Sequence, residues 1–150
     1  MINFRNITEE NFSAIINMKL PEGETFVASN CYSLAQAWLY REDGDVFPFA
    51  IYCDDTPVGF IMLEEDREER KLWLWRILIS EEYIGIGYGT EAISLLARYV
   101  QKSGKYDALY LDCNEKNTIA MHVYQKIGFQ FTGDRNHGDL EMCLDLRKRG

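Results

Sequence analysis

The sequence predicts an α+β fold with a mixed, mainly antiparallel central sheet flanked by helices. Three observations point there. The strand-like runs Val46–Cys53 and 58–63 are separated only by Asp54-Asp55-Thr56-Pro57, a turn that makes them antiparallel partners. Two amphipathic helical stretches, 89–103 and 117–127, follow later in the chain. The full order reads βααβββαβαββ, without the regular strand–helix alternation of a doubly wound parallel sheet. The 150 residues show no internal repeat or linker, so residues 1–150 are expected to form one domain.

Taken in order, residues 2–7 alternate like a short strand. Thr8 is placed to cap a helix over 9–18, with Glu10 and Asn11 in its first turn. Residues 21–29 are polar and contain Gly23, which reads as a loop. Ser33 then caps a second helix, 34–41, whose Trp38 and Tyr40 are expected to pack inward. The stretch 64–70 has mixed charge and no apolar residue, so it reads as a solvated hairpin end. Strand 72–79 is apolar on both faces apart from Arg76, as a central strand should be. A guanidinium there needs a partner or an edge.

Ala92, Ile93, Leu95, Leu96, Tyr99 and Val100 fall at helical spacing through 89–103, and Gly104 ends that helix. Ala108–Cys113 is the next strand. Helix 117–127 stops at Gly128, and strands 129–132 and 140–146 flank a turn at 133–138.

Composition narrows the function. With 16 basic and 24 acidic residues the net charge is −8, which argues against nucleic acid as a partner and suits a cationic one. No apolar run reaches the ~18 residues that span a bilayer, and residues 1–6 lack a signal-peptide pattern. A cytoplasmic protein with no membrane partner is expected. Cys31, Cys53, Cys113 and Cys143 form no C-x-x-C pair, and His122 and His137 are the only histidines, so no metal site is expected.

Residues 83–91 read Y-I-G-I-G-Y-G-T-E. Gly85, Gly87 and Gly89 follow an apolar strand and precede a helix. Glycines permit positive φ and close backbone approach, so successive N–H groups converge on one point. The helix start adds unpaired amides and the positive end of its dipole. Strand, turn and helix together make a phosphate cradle. A P-loop would need a lysine after the glycines, and none follows. A dinucleotide fingerprint is met by Gly85 and Gly87, but its third position falls on Thr90. Asp112 stands at a suitable distance for a ribose acid, yet one βαβ unit is half of such a fold.

A third pattern accounts for more. Ile84 to Gly89 resembles the acetyl-CoA motif (Q/R)-x-x-G-x-(G/A) of the GNAT family of N-acetyltransferases, with Ile84 where Gln or Arg is usual. Asn117-x-x-Ala120-x-x-x-Tyr124-x-x-x-Gly128-Phe129 is similar to the family signature N-x-x-A-x-x-x-Y-x-x-x-G-F. Asn117, Ala120 and Tyr124 share one helix face. Residues 74–79 and Tyr83 look most like small bacterial acetyltransferases of the diamine and spermine type.

The resemblance implies a GNAT fold in which strands 72–79 and Ala108–Cys113 splay apart around the thioester. Ile77, Leu78 and Ile79 would pair with the pantetheine arm. The pyrophosphate would sit on the amides of Ile84, Gly85, Ile86, Gly87, Tyr88, Gly89 and Thr90, and Asn117 would also contact the co-substrate, acetyl-CoA. Acceptor and leaving group each pose a proton problem. An alkylammonium of pKa ~10.4 must lose a proton at neutral pH, at ~4–5 kcal/mol, and the departing thiolate must gain one. Tyr124 is the candidate general acid and Asp112 the candidate base.

The small-molecule amine would be met by the loop, the second helix and the following strands. Glu22, Glu24, Trp38 and Trp75 are the candidate contacts, with Tyr40 and Trp73 beside them. Carboxylates and aromatic faces suit an ammonium group. Arg76 could instead meet a substrate carboxylate. Cys113 points away from Asp112 by strand alternation and is not expected to be a nucleophile. Two functions follow: an N-acetyltransferase acting on a small amine, a peptide amine or an aminoglycoside, or a non-catalytic acyl-CoA-binding module. The terminal hairpin is a candidate homodimer surface.

Overall fold

The computed structural model describes residues 1–21, 23–24 and 26–147. Its elements follow the predicted order. They are β1 (Ile2–Arg5), α1 (Phe12–Ile16), α2 (Asn30–Leu39), β2 (Val46–Cys53), β3 (Thr56–Asp66), β4 (Lys71–Ile79), α3 (Tyr88–Ser103), β5 (Ala108–Cys113), α4 (Thr118–Ile127), β6 (Gln130–Asn136) and β7 (Asp139–Asp145). The strands make one seven-stranded sheet in the order β1-β2-β3-β4-β5-β7-β6. Only β4 and β5 run parallel; every other neighbour is antiparallel.

Strand alternation separates two apolar layers. Ile51, Ile61, Leu72, Leu74, Leu109 and Leu111 face α3, whose Ala92, Ile93, Leu96 and Val100 close the larger core. Ala50, Phe60 and Met62 face the other way and bury Ile15 of α1. Removing this much apolar surface from water is what holds helices to sheet. Among the described residues, no helix is long and apolar enough to cross a membrane.

Several boundaries differ from expectation, each for a local reason. The first helix begins at Phe12, not at residue 9, because the Asn11 side chain ties residues 6–8 together. It accepts from the Thr8 amide at 2.8 Å and donates to the Asn6 carbonyl at 3.0 Å. The second helix is capped by Ser29, whose hydroxyl accepts from the Tyr32 amide at 3.1 Å. Ser33 is buried, while Trp38 and Tyr40 are 67% and 40% exposed instead of packed inward. Trp38 carries the Arg41 guanidinium over its ring at 3.7 Å.

Pairing with β4 extends β3 to Asp66, so Glu64 and Glu65 belong to the sheet and only 67–70 turn freely. The last hairpin is also tighter than predicted. β6 continues to Asn136 and the chain reverses at His137-Gly138, with φ of 51° and 87°. Two positive φ values in succession match the twist of the flanking strands.

Candidate active site

Strands β4 and β5 pair at Lys71↔Ala108, Leu72↔Leu109 and Trp73↔Tyr110, and at no later position. Beyond that point they diverge. A bulge marks the place: Leu63 faces Leu74 and Met62 faces Arg76, so Trp75 is one residue extra on β4. A bulge bends its strand and re-aims its side chains. Leu74 lies in the larger core and Ile77 packs against that same core, whereas Trp75 packs on the opposite layer.

The opening leaves one edge of β4 bare. Ser80 donates its amide to the Val58 carbonyl at 2.9 Å, and the register Phe60↔Leu78, Ile61↔Ile77 continues from there. By antiparallel alternation Leu78 directs its peptide groups at β3, while those of Ile77 and Ile79 face the opening. Leu78 therefore sits on the strand that forms the edge without offering its own amide to it.

At the end of β4 the chain makes a short 3-10 turn, Glu81–Tyr83, and enters the glycine segment. Gly85 and Gly87 have φ of 89° and 92°, and Gly87 is the N-cap of α3. A left-handed backbone there suits glycine alone among the common residues. The Ile84 amide is spent on the Glu81 carbonyl at 3.4 Å. Among the described residues, no acceptor meets the amides of 85–90. Open space surrounds the positions where Gly85 and Gly87 would carry a Cβ, whereas a Cβ added at Gly89 would lie 3.6 Å from Ile79 Cγ1. Unspent amides around uncrowded positive-φ glycines at a helix start fit a pyrophosphate.

On the other wall, Asn117 caps α4 by accepting from the Ala120 amide at 3.3 Å. Tyr124, two turns on, packs edge to face against Phe129 with ring centroids 6.0 Å apart. Burial, with a smaller push from the neighbouring Cys113 thiol, raises the Tyr124 hydroxyl to about 12. Cys113 is buried, and burial raises its thiol too. It stays protonated and is not an activated nucleophile.

Asp112 projects from the opposite face of β5. Across the sheet it faces Glu141, and Asn136 bridges the two, donating to Asp112 Oδ1 at 2.8 Å and to Glu141 Oε2 at 2.9 Å. Burial holds the Asp112 carboxyl above its ordinary range, and Glu141 and Asp139 add to this; the Asn136 hydrogen bond works against it.

A cavity of about 720 Å³ fills the opening and brings Asn117, Tyr124, Asp112, Trp75 and Ile77 to one space. Trp73 and Arg76 also line it. Arg76 donates to Ser33 Oγ at 2.9 Å and Gln36 Oε1 at 2.7 Å, so its hydrogen-bond partners among the described residues are neutral. Burial lowers its ordinary ionisation point. The loop reaches the cavity through Phe26, Val27 and Ala28, but α2 does not line it. Trp38 lies outside it, and Glu24 caps the Phe26 amide. Glu22 lies outside the described residues.

Sequence reasoning missed Glu64, Asn136, His137 and Asp139, all of which line the cavity. The last three come from the β6–β7 hairpin, which no local signal ties to Asp112. Glu64 was hidden by its charged neighbours.

Comparison with known proteins agrees with this architecture. The model of the Acetyltransferase (GNAT) family matches residues 10–129. A spermine/spermidine N(1)-acetyltransferase of Bacillus subtilis is 29% identical over 97% of this chain and 99% of its own. Spermidine N-acetyltransferase from Vibrio cholerae, crystallised with CoA and spermine, superposes with a TM-score of 0.75 at 18% identity, over 97% of this chain and 95% of that one. An N-acetyltransferase from Thermoplasma acidophilum in complex with coenzyme A gives 0.69 at 17% identity, over 97% and 99%. Both solved structures share the fold.

Proposed function

Since the chain belongs to the acetyltransferase (GNAT) family, we propose that it moves the acetyl group of acetyl-CoA onto a primary amine of a polyamine. The observation that carries this reading is the divergence of β4 from β5 after Trp73 and Tyr110. It opens one cavity between the glycine turn and a wall that holds Tyr124 and Asp112. The substrate class is supported by the full-length similarity to a spermine/spermidine acetyltransferase and by the carboxylates and indoles of the cavity.

Acetyl-CoA, when bound, supplies the acyl group as an activated thioester. The amides of 85–90 and the start of α3 would hold its pyrophosphate, the bare edge at Ile77 and Ile79 would align its arm, and Asn117 would contact it. The amine must arrive as the free base. Asp112 accepts the ammonium proton, directly or through water, and its raised ionisation range makes it a stronger base than an ordinary aspartate. The amine then attacks the carbonyl carbon without a covalent enzyme intermediate, and as the C–N bond forms and the C–S bond breaks its nitrogen sheds a second proton, which replaces the one Tyr124 gives to the sulfur.

Tyr124, which lines the cavity, would face the departing sulfur. With its hydroxyl at about 12 and a thiol near ~8.5, full transfer of its proton would run uphill by roughly 5 kcal/mol. Tyr124 therefore acts by hydrogen-bonding the developing charge, and its proton moves only as the C–S bond breaks.

The reading is tested by incubating the protein with acetyl-CoA and a panel of spermine, spermidine, putrescine, amino acids, an aminoglycoside and a peptide N-terminus. Thiol release is followed and products are identified by mass. Acetylated polyamine is expected. Turnover confined to the other acceptors would reassign the substrate, and CoA binding without any turnover would remove the catalytic reading.

A further inference from the structure

Among the described residues, Glu64 is a carboxylate without a counter-charge. It is half-buried on β3, directly across from Trp73 of β4. Among the described residues, no hydrogen bond or ion pair reaches its side chain. Its neighbour Glu65 is different, being bonded by both Arg67 and Tyr106. The two guanidinium groups nearby are already engaged, Arg67 by Glu65 and Arg76 by Ser33 and Gln36.

Position makes the missing counter-charge informative. Glu64 and Trp73 line the reaction cavity, and the same two residues line a second one of about 400 Å³. That second cavity is walled by Asp43, Asp45, Asp66 and Glu68, together with the Arg67–Glu65 ion pair, so its carboxylates outnumber its one cation. Glu64 thus stands where the space for the reacting amine continues into an acidic groove. Burial raises its carboxyl above the ordinary range, and Asp45 and Asp66 oppose its charge further. An ammonium group would reverse that situation, as a charge-assisted hydrogen bond to the carboxylate and a cation beside an indole.

We propose that Glu64, with Trp73 beside it, binds the ammonium group of the acceptor that is not acetylated, and so selects diamines and polyamines over monoamines of equal length. This rests on the polyamine reading above and adds a specificity-determining residue to it. The acidic groove beyond receives the remainder of a longer acceptor. Arg76, cationic and on the far side of the bulge, disfavours the reverse direction.

The test compares kcat/KM for spermine, 1,6-diaminohexane and n-hexylamine in the native protein, Glu64→Gln and Glu64→Asp. The native protein is expected to prefer the diamine over the monoamine by about tenfold or more, the worth of one charge-assisted contact. In Glu64→Gln that ratio collapses, mainly through KM for the diamine, and Glu64→Asp recovers part of it. Added salt should weaken the native preference. Spermine turnover with an unchanged diamine-to-monoamine ratio in Glu64→Gln overturns this inference while leaving the polyamine reading standing. Equal use of diamine and monoamine by the native protein overturns it without recourse to any variant. Absence of turnover on every amine overturns both.

Discussion

Trp73 on β4 and Tyr110 on β5 are the last residues at which the two strands face each other in register, with ring centroids 5.1 Å apart. The Lys71 ammonium sits over the Tyr110 ring at 4.7 Å and closes the stack on the paired side. On the other side lie the bulge at Trp75 and the cavity. The site is therefore a consequence of where pairing stops.

Tyr124→Phe removes the hydroxyl and keeps the ring against Phe129. We expect kcat to fall by about a hundredfold or more, as for loss of a general acid, with little change in the acetyl-CoA dissociation constant. Steady-state kinetics with calorimetric CoA binding checks both. An unchanged kcat would dismiss Tyr124 as the donor.

Gly87→Ala places a side chain on a backbone with φ of 92°. Nothing lies within 4 Å of the added Cβ, so the cost is conformational, about 1–2 kcal/mol. The turn should shift toward negative φ and scatter its converging amides. Weaker CoA binding with a small loss of thermal stability is the expected pair of results.

Gly59→Ala tests packing instead of conformation. An added Cβ would run into the Leu78 carbonyl oxygen and lie 2.9 Å from Ile79 Cδ1. Backbone must move on the strand that forms the bare edge. Destabilisation of about 1–3 kcal/mol by urea unfolding is expected, together with a raised KM for acetyl-CoA.

Asn136→Leu deletes the amide that bridges Asp112 and Glu141. Asp112 loses the larger of the two interactions that favour its charged form, His137 supplying the other, and keeps those that oppose it. Its carboxyl should rise further, moving the acidic limb of the kcat/KM profile to higher pH. An unmoved limb would remove Asp112 as the titrating base.

Tyr106, Tyr110 and Tyr124 all have hydroxyls raised from 10.0 to about 12. A group that binds its proton more tightly when folded supports the fold fully below its unfolded value. That support is lost as pH rises through the folded value. Thermal midpoints should hold up to pH ~10 and decline between about 10 and 12. Replacing the three tyrosines with phenylalanine should flatten that decline.

Much of the architecture was legible in the chain. Strand alternation in 46–53 and 58–63 and helical spacing in 89–103 are local patterns, and local patterns fixed the order of elements. The glycine turn and the face shared by Asn117, Ala120 and Tyr124 were legible for the same reason, since a few consecutive residues determine each. Cap choice was less so. Ser29 and Ser33 are both competent caps, and only packing of Ser33 beneath Arg76 decides between them.

What the sequence determined by itself was the fold, the glycine turn that opens α3 and the helix face that carries Asn117 and Tyr124. Tertiary structure decided the rest: the bulge that re-aims Trp75, the point at which β4 leaves β5, the approach of the β6–β7 hairpin to Asp112, and the exposure of Trp38. These depend on register between strands far apart in the chain. Register is settled by the sum of many cross-strand contacts, and no short window of residues contains that sum.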